Sequence, residues 1–198
     1  MNNSPSLIAG AFSFAEQLHR GQCRKSTDIP YLYHLLAVAA LVGEYGGTPR
    51  QVVAALLHDA AEDQGGEDTL RAIETHFGKD VAAWVRACSD CTSTPKPPWR
   101  ERKEAFIERI PQIPASAKLI VAADKLHNVR SMLRDYRQQG EPLWNRFNGG
   151  RTGTLWYYES VAKTLAETWE HPILDELQDA LERLHTLVIE TTRRARIR

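Results

Sequence analysis

An all-α fold is predicted for this chain, and three observations predict it. Apolar residues recur at three- and four-residue intervals along most of the 198 residues, which is the period of an amphipathic helix. Strict alternation over five or more residues, the mark of a half-buried strand, is hard to find. Most glycines and prolines fall at the ends of the periodic stretches, where they stop and start helices. Hydrophobic residues make up 42% of the chain, enough for a sizeable core. The length suits one compact domain over residues 1–198, with its core at about 6–168 and a C-terminal helix and basic tail at 172–198.

Taken in order, Ser6 to His19 reads as a first amphipathic helix ended by Gly21. Pro30 precedes a second, from about Tyr33 to Glu44, which stops at Gly46-Gly47. Thr48-Pro49 is an N-cap followed by proline at the first helical position. It opens a helix that runs through the string HDAAED at 58–63 and breaks near Gly65-Gly66. Asp68 to Phe77 and Asp80 to Ser89 form two more, separated by Gly78. The prolines of residues 93–98 remove donors and restrict the residues before them, so that segment is a loop. Glu101 to Ile110 and Ala115 to Gln139 resume the helical period. The Gly-rich connection 148–153 leads to a helix from Leu155 to Thr168, and the last helix starts at Ile173.

Charge narrows the classes of partner. Twenty-five Lys and Arg balance 25 Asp and Glu, which argues against a nucleic-acid polymer or an anionic membrane surface. The basic run Arg193 to Arg198 suits a helix C-terminus, where cations oppose the macrodipole. No apolar run approaches the ~18 residues of a membrane span and no signal-type segment opens the chain, so a cytoplasmic protein is expected. Three cysteines fit a reducing compartment. Cys88 and Cys91 form one C-x-x-C pair with no second pair to complete a zinc site, and Cys23 reads as a packed side chain. Self-association is compatible with the sequence.

The chemistry concentrates in HDAAED. Helical spacing stacks His58 with Glu62 and Asp59 with Asp63. The preceding run Val52 to Leu57 is continuously apolar, which places three carboxylates at the end of a core helix, where they need cations to offset desolvation and mutual repulsion. Two further groups are candidates to join them. His34 lies near the start of the second helix, and Asp124 interrupts the apolar stretch Leu119 to Ala123. Taken singly, His34 reads equally as a core imidazole bonded to a carbonyl, and Asp124 as the partner of Lys118 or Lys125. Together, His34, His58, Asp59 and Asp124 supply the mixed nitrogen and oxygen set that suits Mn²⁺, Fe²⁺ or Zn²⁺. Such an ion activates water and stabilises charge on a phosphoryl oxygen, and phosphate-ester hydrolysis is the natural consequence.

Three ordered motifs resemble a known family. Gly21-Gln22-Cys23-Arg24-Lys25 before Pro30-Tyr31 and His34, then Ala55 to Asp59 with Glu62-Asp63, then Ala123 to Arg130, are similar to the HD hydrolase domain of RelA/SpoT homologues, and most closely to the stand-alone small alarmone hydrolases. The resemblance runs from about His19 to Thr168 and implies a compact multi-helix HD-domain bundle. It implies that His34, His58, Asp59 and Asp124 bind Mn²⁺, and that Glu62 and Asp63 position or deprotonate the attacking water. It further implies that Arg24, Lys25, Lys125, Asn128 and Tyr157 contact the base, ribose or phosphates of a nucleotide. The implied reaction removes pyrophosphate from the 3′ position of guanosine 3′,5′-bispyrophosphate, giving GDP or GTP. One departure is the ornate segment 144–151, longer than in animal-type members, whose arginines, Arg151 among them, suit a phosphate-binding lid. Two other readings stay open at this point: an HD phosphatase acting on an adenosine alarmone, NADPH or a nucleoside monophosphate, and a nucleotide-binding regulator without turnover.

Overall fold

The structure, a computed structural model, describes residues 4–93 and 95–197. Ten α-helices occur among them, and no strand; the backbone pairs strand-like only at one isolated bridge, between Cys23 and Pro30. In chain order they are α1 (Ser4–Leu18), α2 (Leu32–Glu44), α3 (Pro49–Leu57), α4 (Ala60–Asp63), α5 (Gly66–Phe77), α6 (Lys79–Cys88), α7 (Trp99–Arg109), α8 (Ala115–Gln139), α9 (Gly150–Thr168) and α10 (Ile173–Ile197). Short 3₁₀ turns at Ile110–Gln112 and Glu141–Arg146 lead into and out of α8.

The long α8 is the axis of the bundle. Every residue from Ala117 to Leu126 is buried, and α2, α3, α6, α9 and α10 all pack on it. A largely apolar stretch such as this is surrounded because each apolar face left in water forfeits roughly 25 cal/mol per Å². The second core helix, α3, is equally determined by its sequence. Thr48 and Gln51 form a reciprocal capping box and Pro49 occupies the first helical position. The Gln51 amide also donates to the Ser116 carbonyl at 2.9 Å, which fastens the start of α3 to the start of α8. Val53 to Leu57 are then wholly buried, as the apolar run requires.

Three boundaries depart from expectation. The helix through HDAAED is not continuous. It ends at Leu57 and restarts at Ala60, with Asp59 at φ −96° and ψ −3°. That dihedral pair opens the turn while the Asp63 amide still reaches the Asp59 carbonyl at 3.0 Å. The segment after α8 winds into the 3₁₀ turn Glu141–Arg146, and α9 begins at Gly150 rather than Leu155. Gly149 explains that early start: a Cβ there would lie 2.6 Å from the Trp99 ring, so the indole seats directly on the backbone. The backbone of α10 continues helical to Ile197, while the side chains of the basic tail beyond Arg193 lie outside the described residues.

Because Leu57 is fully buried one residue before His58, Leu57→Ala is expected to destabilise the fold by about 2–5 kcal/mol. Denaturant unfolding with an unchanged slope checks this. A loss under about 1 kcal/mol would mean that the end of α3 repacks freely, contrary to the burial described.

Candidate metal centre and its cleft

The break between α3 and α4 is what builds the centre. It leaves His58 and Asp59 at the mouth of the core, facing α2 and α8. His34 Nε2 lies 3.5 Å from Asp59 Oδ2 and 3.2 Å from Asp124 Oδ1. His58 Nε2 lies 3.0 Å from Asp59 Oδ2 and 3.7 Å from Asp124 Oδ1. Both imidazoles are buried, and among the described residues neither Nε2 finds a hydrogen-bond partner. A buried nitrogen facing carboxylates without a hydrogen bond is costly unless something binds its lone pair.

The other ring nitrogens fix which atom is free. His58 Nδ1 donates to the Ala55 carbonyl at 2.8 Å, which leaves its Nε2 as a bare lone pair. His34 Nδ1 lies 2.7 Å from His127 Nδ1. Burial and the nearby His34 and Arg24 push His127 down to about 3, so its ring is neutral, and with His34 Nε2 turned to the carboxylates as a ligand the His34 proton sits on Nδ1 and is donated to His127. Both histidines thus present Nε2 inward, each held by an outer hydrogen bond as metal ligands usually are. Tyr31 completes the surround by donating from its hydroxyl to Asp59 Oδ2 at 2.6 Å.

Electrostatics make the same demand. Burial works to raise the Asp59 and Asp124 carboxyls, yet the imidazoles, and for Asp124 also the Lys125 ammonium at 2.6 Å, hold both well below the usual carboxylate range. Conversely, burial works to lower His58, and the two carboxylates hold it well above the ordinary histidine value. The cluster therefore requires added positive charge, either a proton on His58 or a cation between the four groups. His34, His58 and Asp59 can bring ligand atoms within 4.8 Å of one another, and the two-imidazole, two-carboxylate set fits a divalent ion.

Glu62 and Asp63 flank this centre on opposite sides. Glu62 turns toward the α6–α7 connection, where it accepts from the Asp90 amide at 3.2 Å and lies 3.7 Å from both Lys96 and Arg102. Burial, with the Asp90 carboxylate close by, raises the Glu62 carboxyl to about 7. Asp90 is itself anchored by Arg102 and Lys103, each at 2.6 Å. Asp63 turns the other way and accepts from the Gln22 amide at 2.8 Å. Burial and the Asp59 charge raise its carboxyl as well. Two carboxyls of raised pKa beside this cluster are the kind of groups that general acid–base chemistry uses.

A cleft of about 530 Å³ opens beside His34 and His127. Arg24, Lys25, Arg134 and Arg146 give it positive charge, and Tyr31, Tyr33, Phe147 and Tyr158 give it aromatic faces. Of the residues that the resemblance assigns to substrate, Arg24, Lys25 and Asn128 line it. Asn128 also bridges, accepting from Arg24 at 2.7 Å and donating to Asp124 at 2.5 Å. Lys125 is buried behind Asp124, and Tyr157 is buried between Lys103 and Lys125, so Tyr158, its neighbour, is the tyrosine that faces the cleft. Arg151 is not brought there: it pairs with Glu141 at 3.2 Å and lies in the groove between α9 and α10. The arginine of this segment that lines the cleft is Arg146, which sequence reasoning did not single out; it is held by Asp135 at 3.1 Å. Cys88 is half-buried, and burial pushes its thiol well up, the reverse of a reactive thiolate.

A bundle of helices presenting a His-Asp pair with outlying His and Asp defines an HD-type hydrolase centre, and the family model described as "HD domain" matches residues 11–155. The chain belongs to the HD-domain family. Among its relatives is the guanosine-3′,5′-bis(diphosphate) 3′-pyrophosphohydrolase MESH1 of Xenopus tropicalis, 39% identical over 137 residues, or 68% of this chain and 74% of that one. The human protein of the same name is 37% identical over the same shares. In structure, the chain is similar to a metazoan orthologue of SpoT described as hydrolysing ppGpp, with a TM-score of 0.72, 26% identity, and coverage of 92% and 97% of the two chains. A Listeria monocytogenes protein matches with a TM-score of 0.66 and 30% identity over 75% of this chain and 96% of its own.

Removing the outer partner of His34 tests the assigned tautomer. His127→Leu is expected to weaken Mn²⁺ binding about 10- to 100-fold, measured by calorimetric titration of metal-stripped protein. Unchanged affinity would show that His34 needs no orienting bond.

Proposed function

We propose that the protein is a divalent-metal-dependent hydrolase of guanosine alarmones, cleaving the 3′-pyrophosphate of (p)ppGpp to release pyrophosphate and GDP or GTP. One observation carries the reading: two bare histidine nitrogens and two carboxylates converge at the end of a cationic, aromatic-lined cleft of nucleotide size. The names borne by its relatives support the same substrate. His34, His58, Asp59 and Asp124 hold the metal, for which Mn²⁺ is the proposed species. When bound, the ion supplies Lewis acidity toward a phosphoryl oxygen and lowers the pKa of a water.

The chain's own residues do the rest. Arg24 and Lys25 neutralise phosphates, and the planar Arg24 cation can also stack on a purine. Glu62 and Asp63 receive the proton as water adds to phosphorus. A proton then returns to the ribose 3′ oxygen as its bond to phosphorus breaks. We assign residues 1–198 to one domain acting on a small nucleotide in the cytoplasm. No described helix is long and apolar enough to cross a membrane.

The deciding experiment is hydrolysis of guanosine 3′,5′-bispyrophosphate with Mn²⁺, products resolved by ion exchange, beside Asp59→Ala. GDP and pyrophosphate from the parent alone are expected. Metal binding without turnover would overturn the substrate, and single-phosphate release from another nucleotide would redirect it to a phosphatase.

The pH profile gives a second check. Glu62 accepts a proton only in its ionised form, and its carboxyl is raised to about 7, so activity should fall as pH drops through about 7. In Glu62→Gln the rate is expected to fall about 10²- to 10⁴-fold, and the acid limb near 7 to disappear from what remains. An intact limb in that variant would assign it to another group.

A further inference from the structure

The loop between α1 and α2 closes on itself at a neck where the Tyr31 amide donates to the Gln22 carbonyl at 2.9 Å. The side chains at that neck reach two different acids of the centre: Tyr31 donates to Asp59, and Gln22 donates to Asp63. A third residue touches both. His19, one position beyond α1 and only 3% exposed, stacks on the Tyr31 ring at 5.3 Å and 19°. Its Nδ1 lies 2.8 Å from Gln22 Oε1. Nothing in the metal centre itself uses His19 or Gln22.

The amide orientation follows from the acid outward. A carboxylate only accepts, so the Gln22 nitrogen must face Asp63 Oδ2. Its oxygen then faces the other way, where it accepts from Gln64 at 2.6 Å and from His19 Nδ1. Two donors on one amide oxygen leave the nitrogen no alternative aim. Because Asp63 ends α4, a helix of only four residues, little else in its own element fixes the carboxyl.

We propose that Gln22 is the positioning residue for Asp63 in the hydrolytic reaction, held in that role by His19. The His19 ring ties this hold to the one that Tyr31 exerts on Asp59, so both acids are registered from a single loop neck. The inference rests on the hydrolase reading for its catalytic meaning, and the geometry has a readout of its own.

That readout is the ring ¹⁵N spectrum of His19 in the full chain. A proton on Nδ1 is expected, and a bare Nδ1 would overturn the hydrogen-bond order whether or not any substrate is turned over. For the parent with demonstrated hydrolysis, Gln22→Glu keeps the shape but loses the donor. Its kcat should drop about 10- to 100-fold, with KM and Mn²⁺ affinity within about twofold, because misplacement of a reacting group costs rates of that order. His19→Leu should show the same split. His19→Asn, whose amide nitrogen can stand where Nδ1 stood, should recover activity to within about threefold of the parent. Unchanged kcat in Gln22→Glu, or His19→Leu and His19→Asn behaving alike, would overturn the proposal. If Gln22→Glu does not fold, the His19 pair decides. A parent without hydrolysis but with Nδ1 protonated would instead sink the hydrolase reading and leave the geometry standing.

Discussion

Everything at this centre depends on two carboxylates that water solvates poorly, Asp124 buried and Asp59 half-buried. Asp59 and Asp124 sit among core helices, and an uncompensated charge there would cost several kcal/mol. The fold surrounds them with positive and donating groups: two imidazoles, the Lys125 ammonium and the Tyr31 hydroxyl. It still leaves two nitrogen lone pairs unused. Such an arrangement is unstable as a mere structural ion cluster and coherent as a cage for a cation. The same charge sets the pair beside it, since Asp59 acts through space to raise both Glu62 and Asp63.

The helix α8 shows how a core element can also carry chemistry. Asp124, His127, Asn128, Ser131 and Asp135 follow the three- and four-residue spacing of one helical stripe. Most of the remaining circumference from Ala117 through Leu133 is apolar and buried, with Lys118 and Lys125 buried among it and Arg130 exposed. One polar stripe therefore runs from Asp124 into the cleft, with His127, Asn128 and Asp135 hydrogen-bonded to His34, Arg24 and Arg146. Asn128 bonds both Asp124 and Arg24, so one α8 side chain links the acid of the centre to a cation of the cleft.

Much of this was legible in the sequence, for reasons that can be stated. Capping at Thr48-Pro49 and the apolar run to Leu57 announced a buried helix with acids at its end, and Asp124 stood out as a lone charge in an apolar stretch. Long-range geometry was not legible. Nothing local tells that the His127 ring meets His34, which is 93 residues away in sequence, or that Gln22 meets Asp63. The 3₁₀ turn at Glu141–Arg146 hid because six residues with one proline are too few to show a helical period, so nothing in the pattern singled out Arg146, which lines the cleft, over Arg151, which does not. The break at Asp59 hid because its dihedrals are a small departure from helix, below what a residue pattern encodes.

Trp99 carries one more consequence. Its indole rests on the glycine backbone at Gly149 and Gly153, and it opens the helix that anchors Asp90 through Arg102 and Lys103. One ring therefore serves as a hinge pin between the wall that bears Arg146 and the strut that steadies Glu62. The jaws of the cleft and the acid side of the centre cannot part company unless that pin is drawn.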